Sequence, residues 1–189
     1  MSSALAQRMV LFAIYAFAGW LLETSYASIR ERRFVNRGFL CGPFCPIYGF
    51  AALLILAVTA RAGARLDDPW ARGLAIILVS ALLVTWLEYA TGWLLDRVFH
   101  RKWWNYQGRK MNIGGYVCVE YSLLWGALAF VLAELIHPAI LQLLTPLPAW
   151  FNITAAWIIL FYFAIDTGVS VSKEWQRKHS AGLHRLKLR

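Results

Sequence analysis

Five long apolar segments constrain the fold of this chain more than any other feature. Their approximate bounds are 9–29, 44–62, 74–95, 116–136 and 149–171. Each holds about the 20 residues that a helix needs to cross the hydrocarbon of a bilayer. Charged residues make up only 15% of the chain, where soluble domains have about a quarter. The pattern predicts an all-α polytopic membrane protein with five transmembrane helices.

Length and composition exclude several other classes of protein. The 189 residues leave no room for a soluble catalytic domain beside five spans. Ten Trp, eight Tyr and eleven Phe exclude intrinsic disorder, which is typical of chains with few aromatic residues. In a soluble protein the net charge of +9 would favour a nucleic-acid partner. In a membrane protein its interpretation depends on which loops carry the basic residues.

The basic residues fall into alternate loops. Residues 30–37, 97–110 and 173–189 carry fifteen of the nineteen Lys and Arg residues. Basic residues concentrate in the cytoplasmic loops of membrane proteins. This asymmetry predicts a protein integral to the cell membrane, with its N-terminus outside and its C-terminus in the cytoplasm. The basic residues therefore indicate the orientation of the chain in the membrane, and no nucleic-acid partner is predicted.

A shift of 73 residues aligns two parts of the chain. It superposes residues 19–23 on 92–96, and it pairs Gly42 with Gly115, Cys45 with Cys118 and Tyr48 with Tyr121. We expect two parallel two-helix repeats, at about 10–62 and 74–136, plus a fifth helix at about 149–171. These would form a single membrane domain, 1–173, followed by a basic cytoplasmic tail, 174–189. Chance similarity between aromatic membrane helices is the alternative.

Acidic residues inside the apolar segments are the main candidates for chemistry. The predicted orientation places Glu23, Glu88, Glu120 and Asp166 in the cytoplasmic half of the membrane, with Asp96 at its edge. An ionised acid in hydrocarbon costs a few kcal/mol unless it faces a partner or water. One interpretation is a cytoplasm-facing polar cavity that binds a cation, a proton or a cationic group. The other is that the acids pair with nearby arginines, or stay protonated and bridge helices.

Two loop motifs complete the set of candidates. The first lies at the entry to the second span and contains Asn36, Arg37, Gly38, Gly42, Pro43, Pro46 and Tyr48. Its glycines and prolines indicate either a broken entrance to a site or a helix cap. The second motif, residues 103–112, contains Trp104, Asn105, Tyr106 and Asn112. Its aromatic and basic residues either stack on a headgroup or nucleotide or anchor an interfacial loop.

Motifs for ATP hydrolysis, metal binding and nucleophilic catalysis are absent from the sequence. There is no GxxxxGK[ST], HExxH or GxSxG, and the three cysteines match no zinc pattern. We therefore predict no metal and no cofactor, and the sequence leans against an enzyme.

Several linked motifs resemble one known family. The segments NRGFLCGPFCPIYGF, LEYATGWLLD, KWWNY and NIGGYVCVEYSLLWG are similar to the family described as putative ABC-transporter permeases, type IV (CmpB-like). The likeness covers roughly residues 10–130. It carries over to Glu23, Asn36, Arg37, Gly38, Gly42, Pro43, Pro46, Tyr48 and Gly49, and to Glu88, Tyr89, Gly92, Trp104, Tyr106, Asn112, Gly115, Cys118, Ser122, Trp125 and Gly126.

The chain departs from the family pattern at three positions. Asn105 and Gln107 stand where the family more usually has Asp and Ser, and Asp96 stands where Glu is usual. The loss of an acid at position 105 argues against a role there that needs a charge, such as metal binding or proton transfer.

The resemblance implies a permease-like membrane transport subunit of unknown substrate. Together with the acidic residues above, it favours a cytoplasm-facing polar cavity lined by intramembrane carboxylates. The expected partners of this subunit are the lipid bilayer and either a separate ATPase chain or further copies of itself. A non-catalytic assembly or regulatory protein is the second hypothesis. A membrane-embedded enzyme acting on lipid headgroups is the third.

Overall fold

The computed structural model describes the backbone of residues 1–186 and the side chains of residues 1–180. These residues form six α-helices, one π-helical turn and one two-stranded hairpin. In chain order they are α1 (Ser3–Glu31), α2 (Pro46–Gly63), α3 (Pro69–Phe99), β1 (Asn112–Ile113), β2 (Val117–Cys118), α4 (Val119–Val131), a π-helical turn (Leu132–Ile136), α5 (His137–Leu144) and α6 (Ala149–Leu186).

The predicted all-α polytopic fold is confirmed. In the part of the chain that the structure describes, five helical segments are long and apolar enough to cross a membrane, with α4, the π turn and α5 together forming the fourth. Helices α1, α3 and α6 extend beyond the apolar segments that predicted them, most of all α6, whereas α2 has nearly the predicted bounds. Helix α6 continues to Leu186, through most of the region that we expected to be a separate tail.

Side-chain caps and prolines explain where the helices begin and end. The hydroxyl of Ser2 accepts a hydrogen bond from the backbone N–H of Leu5, and the carboxylate of Asp68 accepts one from the N–H of Ala71. Pro46 and Pro69 occupy the first turns of α2 and α3, where a missing N–H costs nothing.

The fourth span is interrupted near its middle. Pro138 has no N–H to donate, and the helix widens into the π turn just before it. The chain nevertheless continues as α5 to Leu144, whereas the sequence predicted an end at 136. A hydrogen bond of 2.8 Å between the Tyr15 hydroxyl and Nδ1 of His137 ties the turn to α1.

Helix α2 lies at the centre of the packing. It contacts α1 on one side and α3 on the other, while α1 also packs on α6 and α3 on α4. Ala51 and Ile55 join a buried cluster with α3 and α4, and Ala52 joins a second one with α1 and α5. The outward faces of the helices carry many exposed Leu, Phe and Trp side chains. Such faces suit contact with lipid.

The two long loops lie at the same end of the bundle, which we call the basic end. It comprises residues 32–45, residues 100–118 and the part of α6 from Lys173 onward. In the second loop β1 pairs antiparallel with β2, with Asn112 opposite Cys118. Gly114 and Gly115 form the turn at φ 60° and 76°, a conformation that disfavours other residues. The sequence did not predict this hairpin.

Helices α1 and α2, and helices α3 and α4, form two hairpins, each closed by one of these loops. This arrangement agrees with the expected units, but the internal repeat itself and the domain limits stay predictions.

We expect Gly49→Ala to destabilise the fold. A Cβ at Gly49 would lie 2.7 Å from the backbone oxygen of Phe12, so α1 and α2 would have to move apart. Overpacking of this kind costs about 1–3 kcal/mol, and thermal unfolding in detergent would report it. Gly63→Ala is the matched control, because a Cβ there meets no atom within 4 Å. Equal melting temperatures for the two variants would contradict this packing.

Candidate functional site

Glu23 on α1 is held by α2. The hydroxyl of Tyr48 donates a hydrogen bond of 2.6 Å to Oε1 of Glu23. Gly19 lies one turn earlier on α1, and a Cβ there would overlap the ring of Tyr48. The glycine therefore lets the aromatic ring lie against α1 with its hydroxyl on the carboxylate.

Glu88 on α3 is buried and holds two other elements. Its side chain is 5% exposed. Oε1 accepts a hydrogen bond of 3.0 Å from the hydroxyl of Tyr106 in the second loop, and Oε2 accepts one of 3.2 Å from the indole N–H of Trp125 on α4. One carboxylate thus links α3, α4 and the loop at the basic end.

These two carboxylates belong to one group of side chains. The rings of Tyr48 and Trp125 lie 5.4 Å apart in an edge-to-face arrangement, which joins the partner of Glu23 to a partner of Glu88. Burial raises the pKa of the Tyr106 hydroxyl, and the carboxylates of Glu88 and Glu23 raise it further. We call these five residues the carboxylate cluster.

Neither acid of the carboxylate cluster is neutralised by a basic side chain in the part of the chain that the structure describes. The ion pairs there join Arg33 to Glu31, Arg101 and Arg177 to Glu174, and Arg109 to Glu120. Glu23 and Glu88 accept hydrogen bonds from neutral donors instead. A buried carboxylate that has no basic partner favours the binding of either a proton or another positively charged group.

Asp96 and Glu120 have other partners. Oδ2 of Asp96 accepts a hydrogen bond of 2.8 Å from the hydroxyl of Tyr116, and this bond raises the pKa of Tyr116. Glu120 is exposed in the first turn of α4 and forms an ion pair of 3.1 Å with Arg109. The structure therefore brings Glu23 and Glu88 together and gives these two acids contacts of their own near the second loop.

Asp166 on α6 binds the backbone of the first loop. Its carboxylate accepts hydrogen bonds of 3.0 Å from the N–H groups of both Cys41 and Gly42, and a third from the hydroxyl of Ser170. A Cβ at Gly42 would overlap the hydroxyl of Tyr162, so α6 and the loop approach this closely only at a glycine. The acid thus accepts from two backbone donors of the loop, and one of them, the N–H of Cys41, also donates to the hydroxyl of Ser170 at 2.9 Å.

The rest of the first loop folds over the end of α1. The hydroxyl of Thr24 accepts from the N–H of Arg37, while the amide of Asn36 donates to the carbonyl of Cys41. Burial, with a smaller contribution from the carboxylate of Glu23, raises the pKa of the Cys45 thiol to about 12. The remaining motif residues are placed as follows: Arg37 is exposed, Gly38 has a φ of 111°, and Pro43 and Pro46 lie before and at the start of α2.

The second loop is ordered by its own side chains. The indole of Trp104 donates to the carbonyl of Tyr116 at 2.8 Å. Asn112 donates to the carbonyl of Arg109 and accepts from the N–H of Gly115. Asn105 accepts from the N–H of Gln107, so the amide at this position serves the loop backbone.

Three partners in these contacts were missed at the level of sequence. Thr24 and Trp20 contact the first loop from α1, with the indole of Trp20 donating to Asn36. Tyr121 stacks on Tyr106 with 4.7 Å between ring centroids. Trp20 and Tyr121 carried a signal, because the 73-residue shift pairs them with Trp93 and Tyr48; Thr24 carried none. No cluster of residues suited to hold a metal ion occurs among those that the structure describes.

Comparison with known proteins gives one match. A family model described as "Putative ABC-transporter type IV" matches residues 10–171. The match includes every candidate residue above and extends through most of α6. Comparison with curated proteins and with solved structures gave no match.

We expect Asp166→Asn to loosen the first loop. The amide nitrogen of Asn cannot accept, so the loop loses one hydrogen bond to a charged acceptor, at a cost of about 1–3 kcal/mol. The N–H of Cys41 keeps only its other acceptor, the hydroxyl of Ser170 at 2.9 Å. Cys45 would then leave its buried site, and its pKa would fall from about 12 toward the ordinary value. The measurement is maleimide alkylation of Cys45 at pH 8, followed by peptide mapping, in a Cys41→Ser background.

The expected result is alkylation at least tenfold faster than in the parent protein. Asp67→Asn is the control, because Asp67 is an exposed acid between α2 and α3. Unchanged alkylation in the Asp166 variant would contradict the role given to this carboxylate.

Proposed function

The chain belongs to the family described as putative ABC-transporter type IV, and on that premise we propose that it is a permease-like membrane transport subunit. Its cargo is a monovalent cation, a proton or the cationic group of a larger substrate. The carboxylate cluster is the place in the membrane where this positive charge is held.

The environment of Glu88 carries the proposal. Its carboxylate is buried between α3 and α4, yet it receives hydrogen bonds only from Tyr106 and Trp125 in the described residues. Ionised acids in the membrane interior are costly and typical of ion and substrate pathways. Tyr48 and Trp125 also meet edge to face within the cluster, and an aromatic face is a surface that attracts cations.

Polar atoms farther along α3 support a pathway through this place. Thr85 lies about one helical turn from Glu88 and Ser80 about 12 Å from it, both on the side away from the basic end. Their hydroxyl oxygens are buried without a hydrogen-bond partner in the described residues, although buried hydroxyls are normally satisfied. Water or a passing cargo would satisfy these two and would extend the pathway from Glu88 toward the far side of the membrane.

The proposed orientation places the basic end in the cytoplasm, because most Lys and Arg residues lie there. If ATP drives transport, the ATPase is a separate chain, since this sequence has no nucleotide-binding P-loop. It would dock on the basic end, where the loops and α6 present exposed positive charge. In this proposal the fold of the basic end is stabilised by the other three acids, Asp96, Glu120 and Asp166.

Glu88→Gln should abolish cation movement without unfolding the protein. The variant keeps the size of the side chain but removes its charge. Its amide oxygen can still accept from the indole N–H of Trp125, and its NH₂ group can donate to the hydroxyl of Tyr106. Uptake of H⁺, Na⁺, Rb⁺ and tetramethylammonium by membrane vesicles that contain the chain and its native partners would be compared. We expect a loss of at least tenfold for the cation that the parent protein moves. Glu31→Gln, an exposed acid at the same end, is the control.

Either of two outcomes would contradict the proposal. One is normal uptake by the Glu88 variant. The other is a parent protein that moves none of these cations.

The orientation has its own test. Single cysteines at Ala64 and Lys110, both exposed and at opposite ends of the bundle, would be introduced in a Cys41→Ser background, where the remaining cysteines are buried. An impermeant maleimide should label position 64 in intact cells and position 110 only after lysis. The reverse pattern would contradict the proposed orientation.

A further inference from the structure

A shallow groove runs along the outer side of α6, where the helix meets the first loop. Its volume is about 400 Å³, and the residues that line it are Cys41, Gly42, Tyr162, Ile165, Asp166 and Val169. It lies within the membrane-spanning part of α6. Ile165 and Val169 are 67% and 43% exposed, so apolar walls open toward the bilayer.

The acid at the bottom of the groove is already satisfied. Asp166 is 8% exposed and accepts the N–H groups of Cys41 and Gly42. Its charge therefore serves the protein backbone, and the surface that the groove offers to an occupant is mainly hydrocarbon. This composition suits an acyl chain.

A cation stands at the end of the groove nearest the membrane surface. Lys173 lies one turn beyond Val169 on the same face of α6, because positions 162, 166, 169 and 173 share one helical stripe. Its ammonium lies 3.3 Å from the sulfur of Cys41, which is a weak acceptor. No carboxylate forms an ion pair with it in the described residues. An anion is the partner that this ammonium lacks.

We propose that the groove is a binding site for one anionic glycerophospholipid. An acyl chain lies along Tyr162, Ile165 and Val169, and the headgroup phosphate contacts the ammonium of Lys173. The distance from Tyr162 to Lys173 along the helix axis is about 16 Å, which separates an apolar tail from a charged head as the lipid requires. Arg177, one turn farther, already pairs with Glu174 and contributes less.

A lipid bound in this groove would contact two separate parts of the protein. The groove is bounded by α6 on one side and by the loop residues Cys41 and Gly42 on the other. An occupant would therefore stabilise the docking of the first loop on α6. This proposal is independent of the transport function, because none of its residues belongs to the carboxylate cluster.

The test is native mass spectrometry of the full chain, released from nanodiscs of phosphatidylglycerol and phosphatidylcholine in equal amounts with identical acyl chains. The parent protein should retain one phosphatidylglycerol in preference to phosphatidylcholine. Lys173→Gln should lower that preference about fivefold, as expected for one basic residue at a membrane surface. Lys110→Gln removes the same charge from another exposed site at the basic end and should leave the preference unchanged.

A second pair of variants tests the groove itself. Val169→Trp fills it and should abolish retention of the lipid, whereas Ile158→Trp, on the exposed surface of α6 outside the groove, should not. Equal retention of the two lipids by the parent protein would overturn the proposal. So would the same preference in the Lys173 and Lys110 variants, or retention in the Val169 variant equal to that in the Ile158 variant.

Discussion

A polar group inside the hydrocarbon of a bilayer finds no water, so it needs a partner from the protein. The loops at the basic end supply most of these partners. Tyr106 in the second loop donates to Glu88, as does Trp125 on α4, and the backbone of Cys41 and Gly42 in the first loop donates to Asp166. Each contact works in both directions, because the acid is satisfied and the loop is held on the helices. The order of the basic end and the burial of the acids therefore depend on one another.

The need for a partner inside the membrane also distinguishes the acids from one another, because they have different partners. Asp166 receives two backbone N–H groups, and Glu120 is paired with Arg109 at the surface. Glu23 and Glu88 have only neutral donors around them in the described residues, two carboxylates that share a group of aromatic rings. This difference is the reason why we propose the carboxylate cluster, and not the other acids, as the place where the positive charge is held.

The sequence predicted the helices well because twenty apolar residues have few alternatives in a membrane. It failed for features that depend on local backbone geometry or on individual side-chain contacts. The π turn before Pro138 lets the fourth span continue to Leu144, which hydropathy alone does not predict. Intramembrane position marked all the acids as candidates, but their partners come from distant parts of the chain. The contact of Asp166 with Cys41, 125 residues away, left no trace in the sequence pattern.

The central claim is that Glu23 and Glu88 together hold a cation. A ligand that binds only the folded state raises the melting temperature with its concentration. Thermal unfolding of the purified chain would be measured in chloride salts of Na⁺, K⁺ and tetramethylammonium at constant ionic strength, and over a range of pH for the proton, for the parent protein and for a Glu23→Gln/Glu88→Gln variant. The account predicts a concentration-dependent rise for one cation or for the proton in the parent protein and none in the variant. Equal behaviour of the two proteins in every salt and at every pH would contradict it.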